Sequence, residues 1–498
     1  MHDTDYTLTS PLPGPVNGGA PLLALTIVWH ADAAMIGAQY VDGRRQTALE
    51  LARFAPLFAH PGAAGLPLGH GGISRQPLRF MRGESDCLSV SVPATSMVVE
   101  LNGAAIDGAV GFDAAQLAHG QILTLGRAVV LCVHWMDCLP AHNPVPGLAG
   151  VGSAAIGVRN QIRMVAPTDL PVLLLGATGT GKEIAARAIH ALGRRCDAPL
   201  VSVNMAALND ALAAADLFGA ARGAYTGAQG QRDGLFAQAD GATLFLDEIG
   251  NAPVGVQPML LRVLDGGDYR PLGAAHDRKS SARLIAATDQ DLSATGFNQA
   301  LLRRLEGFVI QLPPLCTRRE DIGVLIVHML QGDPVLAQLP VALVAEMAAF
   351  DWPGNVRQLA YALKRAVLLV QGGAVPTLGN LVRLDIASVA PPSVAAVAAT
   401  VPARRKPASL APDDVLAAME QHAWTIQAAA LALGVSRPSL YKLLDSHPAI
   451  RRAEAIPDAE LERALLATGG DVAAGAALLK TPAEALRRRW HHLRMVEP

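Results

Sequence analysis

The feature that most constrains the fold is a glycine-rich loop, Gly176-Ala-Thr-Gly-Thr-Gly-Lys182, between a short apolar run and a helical pattern. Gly176, Gly179 and Gly181 let backbone N–H groups close around phosphates, and the following helix N-terminus favours the same negative charge. Lys182 is placed to reach the terminal phosphates. A strand-to-helix turn without a ligand is the alternative, which the agreement of strand, loop and helix disfavours. The sequence therefore predicts a nucleotide-binding α/β domain.

Two acidic residues end another apolar run of this region. PVLLLG, LVSVN, TLFLD and ARLIAAT are short apolar runs between helical stretches, a pattern typical of buried parallel strands. TLFLD ends in Asp247, and Glu248 follows it. Downstream of a phosphate loop, Asp247 is placed to hold Mg²⁺ and Glu248 to polarise the attacking water. Standing alone, such a pair would more often be a solvated strand end.

Longer words of the region from about 153 to 385 point to one family. They are GATGTGKEIAARAIH, LFGAARGAYTGA, GLFAQADGATLFLDEIG, LLRVL, LPPL, REDI and WPGNVRQL. Through them the region resembles the central AAA+ domain of sigma-54-dependent transcriptional activators. The resemblance implies an α/β ATPase subdomain (153–318) with a helical lid (319–385), ATP and Mg²⁺ as cofactors, and a homo-oligomeric, hexameric ring. It also implies that ATP hydrolysis remodels the closed complex of sigma-54 RNA polymerase into the open complex.

The resemblance also implies a role for each matching residue. Asn204 would hold the catalytic Glu248 in check before hydrolysis, Asp289 would sense the γ-phosphate, and Arg357 would reach the nucleotide from the lid. Glu183, where a generic phosphate loop has Ser or Thr, is typical of this family. The residues predicted to surround ATP are Gly176, Gly179, Thr180, Gly181, Lys182, Glu183, Asp289 and Arg357. Those predicted to act in hydrolysis are Asp247, Glu248, Asn204 and Arg304.

Two positions depart from the family pattern. Of two arginines that reach into the neighbouring subunit's site, GFNQALLRRL keeps the second as Arg304, but the first is Asn298. An arginine supplied in trans is worth about 10³–10⁵ in phosphoryl transfer. Asp289 replaces the usual Asn, and a carboxylate near a γ-phosphate is repulsive unless a cation intervenes. Compensation by the adjacent Arg303 and a slow ATPase both remain open.

A loop of small residues carries the most specific resemblance. Its residues are Gly223, Ala224, Tyr225, Thr226, Gly227 and Ala228. They resemble the GAFTGA loop that contacts the sigma-54 factor in this family, with Thr226 as the contacting residue and Tyr225 in place of Phe. The order of such a loop can follow the γ-phosphate. An ordinary Gly-rich surface loop is the alternative for an isolated hexapeptide.

The N-terminal region, 21–137, is predicted to form a small β-sandwich. ALTIVW, CLSVSV, MVVEL, QILTLG and AVVLCVHW are strand-like, and the region resembles a forkhead-associated (FHA) domain. That resemblance implies phosphothreonine binding, in which Arg53, Ser74 and Arg75 would hydrogen-bond the phosphate. Ala52 and Pro77 stand where such domains carry Gly and His. A working phosphopeptide reader and a domain used only for packing are both open interpretations.

The C-terminal region contains an internal repeat. After a linker (386–410), segments 411–447 and 455–495 share one pattern, which favours two tandem helix-turn-helix units. The first resembles a Fis-type unit that binds upstream enhancer DNA, or else is a helical packing module. Its predicted DNA contacts are Ser436, Arg437, Ser439, Tyr441 and Lys442. The second ends in Arg487-Arg488-Arg489-Trp490, which suits phosphate contacts more than base reading, with a solvated face as an equal alternative. Two such units could bind a longer site, or one could support dimerisation.

Composition constrains the partners and the compartment. A net charge of −2 gives no overall attraction to nucleic acid, so DNA must meet a local basic surface. The five cysteines show no close CxxC spacing, which favours reduced thiols. We find no leader-like N-terminus and no apolar stretch of about 18 residues. A cytoplasmic protein without membrane contact is expected, with a Pro/Gly linker at 138–152.

Two other functions compete with the ATP-driven activator. One is a DNA-bound, phosphopeptide-sensing regulator whose ATP site is a slow assembly switch, which Asn298 and Asp289 favour. The other is a different AAA+ remodeller, such as a chelatase or helicase relative. The small-residue loop and the helix-turn-helix units argue against it.

Overall fold

The computed structural model describes residues 21–42, 48–83, 86–210, 212–224, 230–293, 296–382 and, with gaps, 412–489. These residues fall into two compact units that divide after Asp385. The first unit contains a β-rich domain, an α/β domain and a helical lid, in that chain order. The second unit is helical over its described residues.

The β-rich domain is built from ten short strands and one helix. The strands are β1 (Leu22–Trp29), β2 (Gln39–Val41), β3 (Ala48–Leu51), β4 (Leu78–Arg82), β5 (Leu88–Ser91), β6 (Val99–Leu101), β7 (Ala104–Ala105), β8 (Ala109–Phe112), β9 (Gln121–Leu125) and β10 (Val129–Met136), with α1 (Ala114–Ala118) before β9. One antiparallel sheet has the order β2-β1-β10-β9-β6-β7 and the other β3-β4-β5-β8. The inner faces of the two sheets share one apolar core, which confirms the predicted β-rich sandwich.

The outer face of this sandwich is also buried. Val28 and Val130, on β1 and β10, belong to the same apolar cluster as the helices of the lid. Gly323 lies so close to β1 that an added Cβ would be 2.0 Å from the Val28 carbonyl oxygen. Most residues on both faces of β1 and β10 are apolar. One face meets the core between the two sheets, and the other meets the core shared with the lid. The β-rich domain and the lid pack together as one body.

The α/β domain contains a five-stranded parallel sheet in the order β12-β13-β16-β11-β17. Its strands are β11 (Val172–Leu175), β12 (Leu200–Asn204), β13 (Thr243–Asp247), β16 (Arg283–Thr288) and β17 (Phe308–Gln311), and β14 (Asp268–Tyr269) with β15 (Arg278–Lys279) forms a separate hairpin. Its helices are α2 (Ser153–Val165), α3 (Lys182–Ala191), α4 (Ala213–Phe218), α5 (Leu235–Gln238), α6 (Gln257–Gly266) and α7 (Gln299–Leu305). Apolar clusters cover both faces of the sheet, as an all-parallel sheet requires. The four predicted strands are confirmed.

The lid is helical, as predicted. Its helices are α8 (Ile322–Met329), α9 (Val341–Ala349), α10 (Asn355–Gln371) and α11 (Leu378–Leu381). Trp352, fully buried before α10, donates its indole N–H to the Met347 carbonyl oxygen at 2.7 Å. The end of α9 and the start of α10 are thereby joined.

The second unit contains α12 (Pro412–Gln421), α13 (Ile426–Leu433), α14 (Asp458–Ala467) and α15 (Val472–Leu479). Buried residues of all these segments form one apolar cluster, which includes Met419 and Trp424. In the part of the chain that the structure describes, we find no helix with the length and apolarity that a membrane crossing needs.

Candidate nucleotide site

The phosphate loop lies between β11 and α3, at the carboxyl edge of the parallel sheet. Gly181 precedes the helix with φ +106°, in the left-handed region that glycine tolerates. Lys182 is 7% exposed, and its Nζ donates to the Gly176 carbonyl oxygen at 2.7 Å. Thr180 is buried, and its hydroxyl donates to the Ala177 carbonyl oxygen. The loop is thus folded around the ammonium group that the sequence assigns to the phosphates.

Two carboxyl groups stand at the end of the neighbouring strand β13. Asp247 closes the strand, and its Oδ1 accepts a hydrogen bond from the Glu248 N–H at 3.1 Å. Glu248 has φ +55°, an uncommon conformation for a residue with a side chain and one that often marks a functional position. Burial raises the pKa of Asp247 above its usual range. Burial, followed by the charges of Asp289 and Asp247, also raises the pKa of Glu248.

Asp289 follows β16, next to the phosphate loop. Its Oδ2 accepts a hydrogen bond from the Thr178 hydroxyl at 2.6 Å. Its negative charge is one cause of the raised pKa of Glu248. The structure therefore places the predicted sensor residue beside the phosphate loop, although it does not line the cavity described below.

The lid reaches the phosphate loop through the first turn of α10. The Arg357 N–H donates to the Gly179 carbonyl oxygen at 3.3 Å. An added Cβ on Gly179 would be 2.4 Å from the carbonyl oxygen of Gly354 in the lid. The close approach of the lid therefore requires a glycine at position 179 of the phosphate loop. Sequence reasoning missed Asn355, whose Nδ2 donates to the Thr178 carbonyl oxygen at 3.0 Å and whose Oδ1 accepts from the Leu315 N–H. Its position at the start of a helix, as an asparagine, a residue type that tolerates positive φ, was the available signal.

These elements enclose a cavity of about 300 Å³. Its lining residues are Thr178, Gly179, Gly181, Lys182, Glu183, Ile184, Asp247, Glu248, Met329, Val356, Arg357 and Ala360. The cavity thus combines two cationic groups, three carboxyl groups and a small apolar wall. Cations and loop N–H groups suit phosphates, and the apolar residues suit the flat face of a base. Mg²⁺ is usually held by one or two carboxylates together with phosphate oxygens, a pattern that Asp247 fits.

Other predicted site residues have different partners. Glu183 lines the cavity, and its carboxylate pairs with Arg187 one helical turn later at 2.8 Å. Asn204 lies beside Asp247 in the sheet register, and its side-chain oxygen accepts from the Ala206 N–H. Among the described residues, no hydrogen bond joins Asn204 to Glu248. Its assigned role as a restraint on that carboxylate therefore remains a prediction.

The predicted intersubunit residues lie on and before α7, and neither lines the cavity. Arg304 forms an ion pair with Asp265 at 2.6 Å, and its side chain is 61% exposed. Asn298 caps the helix, because its Oδ1 accepts from the Ala300 N–H at 3.0 Å and the Leu301 N–H at 3.1 Å. The position where the family pattern has a first arginine therefore carries a helix cap instead.

Only the beginning of the small-residue loop is described. Gly223 has φ +78°, and the Ala224 N–H donates to the Ala221 carbonyl oxygen. Ala220 forms isolated bridges with Arg232 and Leu272, which hold the two ends of the segment together. Tyr225, Thr226, Gly227 and Ala228 lie outside the described residues.

The candidate phosphopeptide residues meet at one end of the β-rich domain. The Arg53 N–H donates to the Ser74 carbonyl oxygen at 3.0 Å. The Arg53 guanidinium donates to the carbonyl oxygens of Ile73 at 2.8 Å and Gly71 at 2.5 Å. The Ser74 hydroxyl accepts from the Gln76 N–H, whereas Arg75 is exposed. Arg53 therefore braces the loop that carries the other two residues.

The predicted DNA contacts Ser436, Arg437, Ser439, Tyr441 and Lys442 lie outside the described residues. Leu440 and Leu444 of the same segment are described, and both are buried in the core of the second unit. This burial fixes which side of the segment faces inward.

Comparison with protein families gives three matches along the chain. Residues 148–311 match the sigma-54 interaction domain. Residues 317–382 match the AAA+ ATPase lid domain, and residues 415–445 match the bacterial regulatory proteins of the Fis family. The three matches agree with the order of the α/β domain, the lid and the first C-terminal repeat.

Curated relatives give the same result. The transcriptional regulatory protein ZraR of Salmonella typhi is 39% identical over 304 residues, which are 59% of this chain and 67% of that protein. ZraR of Salmonella typhimurium is 43% identical over 235 residues, 45% of this chain and 53% of that protein. The DNA-binding transcriptional activator HyfR of Escherichia coli is 44% identical over 223 residues, 43% of this chain and 33% of that protein. The chain thus spans between a third and two thirds of the length of these relatives.

Proposed function

Because the chain belongs to the family of sigma-54-dependent transcriptional activators, we propose that it hydrolyses ATP to convert the closed complex of sigma-54 RNA polymerase into the open complex. One observation carries this proposal. Lys182, Asp247, Glu248 and the lid residue Arg357 line a single cavity in a domain that matches the sigma-54 interaction domain. Phosphate binding, metal binding, water activation and a response of the lid can all take place there.

Each charged group has a separate task in this proposal. Lys182 and Arg357 hold the phosphates, and Mg²⁺ bound at Asp247 with phosphate oxygens would neutralise developing charge. Glu248 accepts a proton from, or orients, the attacking water, and its raised pKa makes its carboxylate a stronger base. Asn355 and Arg357 of the lid donate hydrogen bonds to the phosphate loop. A change in the loop when phosphates bind or leave would therefore be transmitted to the lid.

The surface that carries Asn298 and Arg304, called here the arginine face, supports a ring as the active form. Arg304 is far more exposed than Lys182, and it lies on a helix that does not line its own chain's cavity. An exposed ion pair such as that with Asp265 contributes little, about 0–1 kcal/mol, so a neighbouring subunit's phosphates can displace it. In a homo-oligomeric ring, a hexamer as the family resemblance implies, Arg304 would complete the next subunit's site.

The loop from Gly223 to Ala228 is the proposed contact with the sigma-54 factor. Ala220 anchors both ends of this segment to the α/β domain, so movement of the domain would carry the loop with it. Thr226→Ala should keep ATP turnover and lose open-complex formation, measured on the same preparation. Gln229→Ala, just beyond the predicted contact residues, is the matched control and should retain both. Open complexes formed by Thr226→Ala at the normal rate would remove this assignment.

The first C-terminal repeat is the proposed reader of upstream enhancer DNA. Its match to the Fis family supports this role, as do the predicted contacts Ser436, Arg437, Ser439, Tyr441 and Lys442. Footprinting of the full chain on a selected binding site tests it. Protection should disappear in Arg437→Gln and Lys442→Gln together.

A phosphothreonine partner for the β-rich domain is a further proposal. The contact between Arg53 and Ser74, with Arg75 exposed beside them, supports a phosphate site at this end. The two carbonyl partners of the Arg53 guanidinium and the core shared with the lid support a packing role instead. Titration of the full chain with a phosphothreonine peptide and its unphosphorylated form decides between them. Binding that Arg75→Gln abolishes supports the reader, and equal, negligible binding of both peptides supports packing.

A slow ATP-dependent assembly switch is the second candidate function. The helix cap formed by Asn298 favours it, because one of two trans arginines is replaced by a residue with a structural partner. The ATP turnover number at protein concentrations that favour assembly separates the two candidates. Turnover near zero, with assembly that still depends on ATP, would establish the switch.

A further inference from the structure

A second cavity, called here the junction cavity, lies where the β-rich domain, the linker and the lid meet. Its volume is about 520 Å³, which is larger than that of the nucleotide cavity. The β-rich domain and α8 each line part of it, and most of the other lining residues belong to the linker segment 141–151. Ligand sites of roughly 300–1,000 Å³ often lie at domain junctions. The junction cavity therefore has the size and the place of a small-molecule site.

The walls of the junction cavity pack closely where they meet. Gly37 of the β-rich domain has φ +86°, and an added Cβ there would be 2.6 Å from Cγ2 of Val324 in the lid and 3.4 Å from Cγ1 of Val151 in the linker. The His60 imidazole is held within the β-rich domain, because its Nε2 donates to the Ala34 carbonyl oxygen at 2.8 Å. The three parts of the chain thus enclose the cavity on a packed base.

One buried arginine gives the junction cavity a positive group. Arg159, on α2, lines the cavity and is 6% exposed. Its Nε donates to Asn143 Oδ1 at 2.8 Å, and its Nη1 donates to the carbonyl oxygens of Gly150 at 2.8 Å and Leu148 at 3.4 Å. Among the described residues none accepts a hydrogen bond from Nη2, and this atom is not sealed from solvent. The guanidinium is therefore fixed on one side and has donors to offer on the other.

The charges around the junction cavity favour an anion of low charge. None of its described lining residues is Asp or Glu, whereas Arg159 and three histidines line it. The Asp321 carboxylate lies behind the wall, since an added Cβ on Gly150 would be 2.8 Å from its Oδ2, and it attracts Arg159. Because Asp321 offsets part of the guanidinium charge, a single carboxylate suits this cavity better than a phosphate dianion.

The remaining lining of the junction cavity is mostly apolar. It includes Pro61, Pro144, Val145, Leu148 and Val324. Ligand cavities commonly combine an apolar lining with a few polar groups that fix the orientation of the ligand. An organic acid with a hydrocarbon body matches both the apolar lining and the single cationic group.

The junction cavity shares two structural elements with the nucleotide cavity. On α8, Val324 and His328 line the junction cavity, and the next residue, Met329, lines the nucleotide cavity. In the linker, an added Cβ on Gly147 would be 2.8 Å from Cγ2 of Ile184, which lines the nucleotide cavity. A ligand that shifts α8 or the linker would therefore change the wall of the nucleotide cavity.

We propose that the junction cavity binds a small organic acid, whose carboxylate accepts hydrogen bonds from Nη2 of Arg159 and whose hydrocarbon body contacts the apolar lining. Acid binding itself is independent of the proposed function. Its effect on the nucleotide cavity rests on the nucleotide binding that the proposed function requires. By linkage, the acid and the nucleotide change each other's affinity by the same factor.

The test titrates the full chain with hexanoate and benzoate as probes, and with hexanamide and benzamide as uncharged analogues of the same shape. Calorimetry measures each affinity with and without ADP. The acids should bind about tenfold more tightly than the amides or better, because only the carboxylate forms a charge-assisted hydrogen bond with Arg159. Equal binding of acids and amides would overturn the anion site, and no binding of any probe would overturn the ligand site altogether.

Two tryptophan variants show where the acid binds. Ala141→Trp fills the junction cavity from an exposed lining residue without changing Arg159, so it should abolish acid binding. Leu139→Trp is the matched control, because Leu139 lies two positions earlier in the linker, is exposed and does not line the cavity. It should bind the acids as the wild type does. Acid binding that survives Ala141→Trp would overturn the assignment to this cavity.

Arg159→Gln tests the cationic group and should weaken acid binding about 10- to 100-fold, with unchanged binding of the amides. Matching unfolding midpoints establish that the variant is folded, and the tryptophan pair decides the question if it is not. Saturating ADP should change acid affinity about fivefold or more in the wild type. Acid affinity that ADP leaves unchanged, in a chain that hydrolyses ATP, would overturn the coupling and leave the proposed function standing. Acid binding by a chain that binds no nucleotide would overturn the proposed function and leave the site standing.

Discussion

The two faces of the ATPase domain differ in how completely one chain forms them. On the nucleotide face, Lys182, Glu248 and Arg357 line the same cavity, and the lid is bonded directly to the phosphate loop. On the arginine face, Arg304 is held by Asp265 and Asn298 caps a helix. Neither of these residues lines the cavity of its own chain.

The difference indicates which part of catalysis a single chain can supply. Binding needs groups that are already in position, and the nucleotide face has them. Acceleration by a trans arginine needs a group that is free to move to a neighbour, and an exposed ion pair meets that need. Under the proposed function, binding groups are thus supplied within the chain and the rate-enhancing arginine between chains.

The largest expected effect is on the arginine face. Arg304→Ala should lower the ATP turnover number of the assembled protein about a thousandfold, because the trans charge that stabilises the transition state is lost. Affinity for ATP should stay near that of the wild type. Arg303→Ala, one position earlier on α7, is the control for loss of charge. An equal fall in both variants would mean that both arginines are required and that Arg304 has no distinct role.

On the nucleotide face, Lys182→Ala should weaken ATP binding about 10- to 100-fold, because a charge-assisted hydrogen bond contributes about 1.5–3 kcal/mol. A fluorescent nucleotide titration of the unassembled chain measures this effect. Arg187→Ala on the same helix serves as control for loss of charge, since Arg187 is exposed and does not line the cavity. Unchanged binding in Lys182→Ala would contradict the account of this face.

Asp289→Asn tests the effect of the carboxylate charge beside the phosphate loop. Its carboxylate helps raise the pKa of Glu248, after burial. Glu248 acts as a carboxylate, so turnover falls as the pH drops through its pKa. Removing the Asp289 charge should lower that pKa, move the acid limb of the pH–rate profile to lower pH and tighten ATP binding severalfold. An acid limb that stays in place would show that the Asp289 charge does not contribute to the pKa of Glu248.

Asn298→Ala should have the smallest effect, on stability. It removes the acceptor for the N–H groups of Ala300 and Leu301, and loss of such a cap costs about 1 kcal/mol. Urea unfolding of the full chain measures the change. Asn298→Asp keeps an acceptor and should unfold at nearly the wild-type midpoint. Equal destabilisation by both substitutions would show that the cap is not the reason for asparagine here.

Much of the nucleotide face could be predicted from the sequence, because its parts are local. A strand, a glycine-rich loop and a helix lie in one run of residues, and an acidic pair ends a neighbouring apolar run. In the structure Lys182, Asp247 and Arg357 line one cavity, although Arg357 is distant in sequence. The partner of Asn355 could not be predicted, because it depends on how the lid meets the loop.

The arginine face and the β-rich domain were harder to predict. The sequence showed that Asn298 replaces an arginine, but the cap depends on a backbone that only the structure provides. The sequence of β1 also indicates that the outer face of this strand is covered. LLALTIVW is apolar at almost every position, and a strand with one solvated face would alternate. That continuity indicates a second covering, which is the lid.

Open-complex formation on a sigma-54 promoter tests most directly whether the chain uses ATP hydrolysis to activate sigma-54 RNA polymerase. Purified chain and sigma-54 RNA polymerase are incubated with ATP or with a non-hydrolysable analogue, and promoter melting is followed by the reactivity of unpaired bases. We expect promoter melting with ATP, no melting with the analogue, and no melting when another sigma factor replaces sigma-54. Melting that proceeds with the analogue, or an absence of melting while the chain hydrolyses ATP and binds the promoter, would contradict it.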